Sequence, residues 1–132
     1  MQHFADEILQ RFPEVADELS EGDEELPYVM VGHVVRWLRA VAKPALDADV
    51  VRRVVEFDRW CMSQPGGEAA ENDIPTIAVV ALREKLFKYD ELLPLVPRVM
   101  TRQELLQNRD YLVGWVGADR YEAVLRMSKG GA

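Results

Sequence analysis

The chain has 132 residues, 48% of them apolar and 30% charged, and carries a net charge of −7. That length fits one domain able to bury a substantial core without staples, and the single cysteine, Cys61, excludes an internal disulfide and a cysteine-based zinc site. The charge is unevenly placed: residues 1–25 hold nine acids (Asp6, Glu7, Glu14, Asp17, Glu18, Glu21, Asp23, Glu24, Glu25) against one base, Arg11, a net of −8, whereas the rest of the chain nets +1. An arm of that sign repels nucleic acid and anionic membrane and attracts a basic partner. The first residues, Met1-Gln2-His3-Phe4-Ala5, form neither a basic n-region nor an apolar h-region, so no Sec-type signal is expected. Apolar runs such as Val29–Val31 and Ile77–Leu82 fall far short of the ~20 residues that span a bilayer. The expectation is a soluble, cytoplasmic protein.

The pattern is helical from the start. Phe4, Ile8, Leu9 and Phe12 form one apolar stripe of a short amphipathic helix. Pro13 suits the first turn of a second helix with Val15 and Leu19 inward. Ser20 to Glu25 is a polar, acidic connection ending near Pro27. From about Tyr28 to Lys43 the valines favour strand, and Gly32 costs a helix about 1 kcal/mol relative to alanine. Met30, Val34, Trp37, Leu38 and Val41 nevertheless recur at helical period, with Arg36, Arg39 and Lys43 interleaved on the opposite side, which predicts a helix.

Asp47 is placed to cap a helix reaching about Ser63, with Val50, Val54, Phe57 and Cys61 on its inner face. Gln64-Pro65-Gly66-Gly67-Glu68 is the clearest break in the chain. Asp73, with Pro75 two places on, starts a helix through Ile74, Ile77, Ala78, Ala81, Leu82 and Leu86, and Pro94 and Pro97 then leave a short turn or a single helical turn around Leu92-Leu93. Thr101-Arg102-Gln103-Glu104 is a capping box, flanked by Met100 and Leu105 for a hydrophobic staple. Its helix is expected to end near Gly114 or Gly117, followed by a last helix with Tyr121, Val124 and Leu125 inward.

Chemistry-bearing motifs are scarce. His33 has no histidine or carboxylate at i+4, so the H-E-x-x-H metal pair is absent and a structural or surface histidine is expected. Cys61 shares the apolar face of its helix near the C-terminal end, where the dipole disfavours a thiolate, so it reads as a buried small hydrophobe. Glu21, Asp23, Glu24 and Glu25 do not form a calcium loop, because Gly22 comes too early for the sixth position. Gly66-Gly67 is not followed by the Lys-Ser/Thr of a phosphate loop. Arg36, Arg39 and Lys43 would favour phosphate, but the −8 arm opposes any polyanion, and the stripe is expected to pair partly with that arm. The arm itself reads either as a solvated face or as a surface for a partner.

Phe12-Pro13-Glu14, the acidic stretch, Leu26-Pro27-Tyr28-Val29 with Gly32, Glu71-Asn72-Asp73 and the helix through Leu82, Glu84 and Leu86 together resemble a family of small all-helical bacterial proteins. That resemblance implies a compact helical fold over most of the chain and carries over no functional residue. In general character the chain is also similar to the immunity proteins that neutralise polymorphic toxins, which implies an acidic surface presented to a basic toxin site.

These readings converge on an all-α, single-domain irregular bundle of about six or seven helices, or stacked helical hairpins, over residues 1–127, with a flexible tail at 128–132. The expected function is non-enzymatic binding of a basic protein, a toxin or effector, through Asp17, Glu18, Glu21, Asp23, Glu24, Glu25 and Tyr28. No cofactor, metal, nucleic acid or membrane enters it. The alternative is a helical adaptor or oligomerisation module that binds through an apolar patch of Tyr111, Leu112, Trp115 and Val116.

Overall fold

Prolines, glycines and caps cut this sequence into short helices, and packing bends them around one core. The computed structural model describes residues 2–66 and 73–129. Gly67 and Glu68 of the expected break, the family-like Glu71-Asn72, and Gly130–Ala132 of the expected tail lie outside the described residues. The fold is all-α and single-domain, as the periodicity predicts, with no strand among the described residues and about seven helical runs of seven residues or more.

The order is α1 (Gln2–Arg11), 3₁₀ turns at Pro13–Glu18 and Asp23–Glu25, α2 (Pro27–Val41) and α3 (Ala48–Ser63). Next comes α4 (Ile74–Ile77), which runs through a π-helical stretch, Ala78–Arg83, into α5 (Glu84–Lys88). A 3₁₀ segment, Asp90–Leu95, leads into α6 (Val96–Val99), followed by α7 (Arg102–Gln107), α8 (Arg109–Val116) and α9 (Ala118–Lys129).

The N-terminal half is held by aromatic rings. Phe12 meets Phe57 edge-on at 5.6 Å and Trp37 at 6.0 Å, and Phe4 and Phe57 stack against Trp60, which joins α1, α2 and α3. Each such pair adds about 0.5–1.5 kcal/mol to what its buried area supplies. The C-terminal half is mainly aliphatic: Leu82, Leu86, Leu92, Leu95, Leu105 and Val124 are buried. Tyr121 is fully buried there and donates its hydroxyl to the Leu105 carbonyl at 2.8 Å, tying α9 to α7.

Several caps form as the sequence predicts. The Asp47 carboxylate accepts the Asp49 N–H at the start of α3. Both halves of the capping box are made, Glu104 N–H to Thr101 Oγ1 at 3.1 Å and Thr101 N–H to Glu104 Oε1 at 3.0 Å, with Met100 and Leu105 buried on either side. Gly117, at φ +93°, ends α8 with a backbone that a side chain rarely adopts.

Other boundaries differ from expectation for identifiable reasons. The helix begun at Thr101 breaks at Asn108, whose side-chain amide donates to the Glu104 carbonyl and competes with the regular ladder. Pro94 and Pro97 sit within the helical run from Asp90 to Val99 rather than reducing it to a single turn, because Pro97 falls in the first turn of α6. Asp73 caps α4 through its carbonyl, which accepts the Ile77 N–H, and makes no side-chain cap. Ser128 and Lys129 continue α9, and the Ser128 hydroxyl donates to Leu125.

Candidate functional site

The acidic connection between α1 and α2 is a fixed piece of backbone. Gly22 turns the chain at φ +88°, and the Asp23 carboxylate accepts the Ser20 N–H and the His33 Nε2–H, each at 2.8 Å. A carboxylate only accepts, so Nε2 is the protonated ring nitrogen of His33 in this pair. The Ser20 N–H foremost, and then His33, hold the Asp23 carboxyl below its usual range. His33 itself is buried on the inner side of α2, and its Nδ1 finds no hydrogen-bond partner among the described residues.

The nine acids of the arm thus divide. Glu7 pairs with Arg11 at 2.9 Å, and Glu14 takes both ends of the Arg53 guanidinium at 2.8 and 3.0 Å, which holds the Glu14 carboxyl below its usual range. Asp23 is committed to the turn, Glu24 is half-buried beside it, and Glu24 and Asp6 of α1 each interact within the protein. Asp17, Glu18, Glu21 and Glu25 are exposed, and their carboxylates make no ion pair or hydrogen bond with a described residue. The next residues along the chain include three exposed apolar side chains: Leu26, Tyr28 and Val29 are 51%, 38% and 38% exposed.

Arg36 and Arg39 are exposed on α2 as predicted, whereas Lys43, also exposed, lies past the helix end at Val41, and none of the three pairs with the acidic arm. Arg39 bonds Glu91 at 3.3 Å and lies 3.8 Å over the Tyr89 ring. The base from a later helix that forms an ion pair with the arm's Glu14 is Arg53 of α3.

Alongside α2 runs a groove of about 550 Å³, walled on the other side by the π-helical stretch and α5 and closed by Trp115 of α8. Its lining combines Tyr28, Tyr89 and Trp115 with Arg36, Arg39 and Lys85, together with the buried Val35 and Ala81 and the exposed Gly32. The volume lies within the range of ligand-binding clefts, roughly 300–1,000 Å³. A smaller cavity of about 100 Å³, next to Glu84 and Tyr111, is below that range; there the Tyr111 hydroxyl donates to Glu84 at 2.7 Å.

Inside the molecule, a charged junction ties four elements. Arg83 donates to both carboxylate oxygens of Asp58, at 2.9 and 2.8 Å, and to the Val99 carbonyl at 3.3 Å. Its remaining nitrogen reaches Glu104 at 3.4 Å, the same residue that closes the capping box. Asp58 is 3% and Arg83 8% exposed. The junction fastens α3, the π-helical stretch, α6 and α7 together, and it borders a surface depression of about 500 Å³ to which Arg59, Met62 and Arg98 also contribute.

Sequence reasoning missed both Asp58 and Arg83. Asp58 adjoins Phe57 on the inward side of α3, and nothing in the local pattern says that its partner lies 25 residues away. A signal for His33 did exist: it sits three residues after Met30 and one before Val34, on the apolar stripe, where a polar ring requires a partner. Cys61 is buried as expected, and burial pushes its thiol up to about 12, so it is protonated at neutral pH. The apolar patch expected at the C-terminal end is smaller than predicted, because Leu112 is buried and Val116 half-buried, leaving Tyr111 and Trp115 exposed.

No group of three or more His, Cys, Asp or Glu among the described residues is arranged to hold a metal ion, and no described helix is long and apolar enough to cross a membrane. Comparison of the chain with protein-family models, curated proteins and solved structures finds no match.

Proposed function

We propose that the protein is a non-catalytic binding protein of the immunity or inhibitor kind. It neutralises a basic protein partner, a toxin or effector, through the acidic face of Asp17, Glu18, Glu21 and Glu25. Tyr28 and its exposed neighbours Leu26 and Val29 supply the apolar contact. The observation that carries this reading is the division of the arm: Glu7, Glu14 and Asp23 are matched inside the protein, while four exposed carboxylates have no partner among the described residues.

Like charges left unmatched on one segment repel one another, so they add nothing to the stability of the fold. Their value lies in encounter, since opposite potentials steer association toward rates of 10⁸–10⁹ M⁻¹s⁻¹ at low salt, against roughly 10⁵–10⁶ for neutral surfaces. The Asp23–His33 tie and the Gly22 turn fix the backbone that carries them, which lowers the ordering cost of binding. Aromatic side chains beside such charges are the usual anchors of an interface.

The test is capture on the immobilised protein from a lysate of the source cells, with salt elution, alongside a Glu18→Lys/Glu21→Lys/Glu25→Lys variant. A basic protein held by the wild type and lost by the variant is the expected result. That protein, expressed alone, should arrest growth, and co-expression of the wild type but not of the variant should relieve the arrest. Equal capture and equal rescue by the two forms would overturn the reading.

A further inference from the structure

The groove beside α2 holds charge of the opposite sign to the acidic face, and part of that charge is also unmatched. Arg39 is taken by Glu91 and Tyr89, but Arg36 and Lys85 make no ion pair with a described residue. The one acid in the lining, Glu84, accepts the Tyr111 hydroxyl. Two uncommitted cations thus share a cleft with the rings of Tyr28, Tyr89 and Trp115. Past Trp115 and Lys85 the basic surface continues into a second depression of about 290 Å³, to which Lys88 and Arg120 contribute.

Gly32 supplies an independent indication. It lies mid-helix in α2, where glycine weakens the helix, and a Cβ built there would meet nothing within 4 Å. No neighbour in the fold demands the missing side chain, yet the position is exposed and lines the groove. A bare backbone of that kind suits close approach by something outside the chain.

We infer that this groove is a second binding site, which takes a short acidic peptide segment carrying an apolar or aromatic residue. Its carboxylates meet Arg36 and Lys85, its side chain lies among Tyr28, Tyr89 and Trp115, and its backbone crosses Gly32. The groove shares Lys85 and Trp115 with the second depression, so an extended chain can continue from one into the other where a compact small molecule would fill only one. A long polyanion is disfavoured, because Tyr28 borders both the groove and the acidic segment and the whole chain is at −7.

The probe is a pool of blocked heptapeptides with Asp or Glu at both ends and Leu, Phe or Tyr at the centre, titrated into the full-length protein with the Trp115 indole N–H followed by NMR. A lysine-for-acid pool and an oligothymidylate serve as controls. The acidic pool is expected to move the Trp115 signal saturably, and Arg36→Glu/Lys85→Glu to weaken it by roughly tenfold or more. Gly32→Ala is expected to weaken binding while raising the melting temperature, a combination that a merely structural glycine does not give. The assignment is overturned by no saturable shift, by equal binding of the lysine pool, by tighter binding of the oligothymidylate, or by a shift that survives Arg36→Glu/Lys85→Glu. It is also overturned if the groove is filled by a second copy, seen as self-association that Arg36→Glu/Lys85→Glu abolishes and the acidic pool does not compete. The Glu18→Lys/Glu21→Lys/Glu25→Lys variant removes like charge near the groove and is expected to keep or strengthen the saturable Trp115 shift, so the groove and the acidic face fail or stand separately.

Discussion

The junction of Asp58, Arg83 and Glu104 and the surface from Asp17 across Tyr28 to Lys85 treat charge in opposite ways. At the junction each charge is matched: the Arg83 guanidinium binds two carboxylates and a carbonyl within one small volume. On the surface, Asp17, Glu18, Glu21 and Glu25 stand at one end and Arg36 and Lys85 at the other, and none of these six makes an ion pair with a described residue. Charge that folding needs is paired by folding. Charge left over beside exposed tyrosine and tryptophan is available for something else.

Mutation separates the two regions. At the junction, Asp58→Ala leaves the Arg83 charge buried without its main partner and is expected to destabilise the protein by about 3–5 kcal/mol, as read by urea unfolding. A loss below 1 kcal/mol would show that the junction is hydrated and would weaken the contrast. On the surface, Glu18→Lys/Glu21→Lys/Glu25→Lys should change unfolding free energy by no more than about 0.5 kcal/mol per site. Reversal at Asp23 belongs to a different class, since it removes the acceptor of Ser20 N–H and His33.

Gly32→Ala should add about 0.5–1 kcal/mol of stability, because the Cβ meets nothing and the unfolded chain loses freedom. Destabilisation there would mean that the groove is packed at Gly32, contrary to an open cleft. Acid acts on the tie beneath the acidic face. The carboxyl pKa values of Asp23 and Glu14 are lowered in the folded state, so the stability they contribute is full above the ordinary carboxyl range and is lost as pH falls through their folded values. Hydrogen exchange at the Ser20 amide should accordingly rise below about pH 4 and show no such step in Asp23→Asn. The smallest effect is chemical: Cys61, with its thiol pushed up to about 12, should resist iodoacetamide at pH 7.5 until the protein is unfolded.

What was legible in the sequence follows the range of the interaction. The capping box at Thr101, the cap at Asp47 and the stripe Phe4, Ile8, Phe12 act within one or two turns, and each was readable from spacing. The π-helical stretch was not, because nothing in Ala78-Val79-Val80-Ala81-Leu82-Arg83 distinguishes it from an α-helix. Bonds across the fold were not legible either: Asp58 with Arg83, Tyr111 with Glu84 and Arg53 with Glu14 are 25, 27 and 39 residues apart. The acidic face was visible as composition, but which acids remain unmatched depends on where Arg11, Arg53 and His33 fall. The basic groove was invisible, since α2, the π-helical stretch, α5 and α8 bring its residues together only on folding.

The most direct measurement is the association rate of the captured basic partner with the wild type and with Glu18→Lys/Glu21→Lys/Glu25→Lys as a function of ionic strength. If the unmatched carboxylates steer binding, the wild-type rate falls steeply with salt, and the variant starts roughly tenfold or more slower at low salt with a flat dependence. Two rates that coincide at every salt concentration would contradict a role for the acidic face.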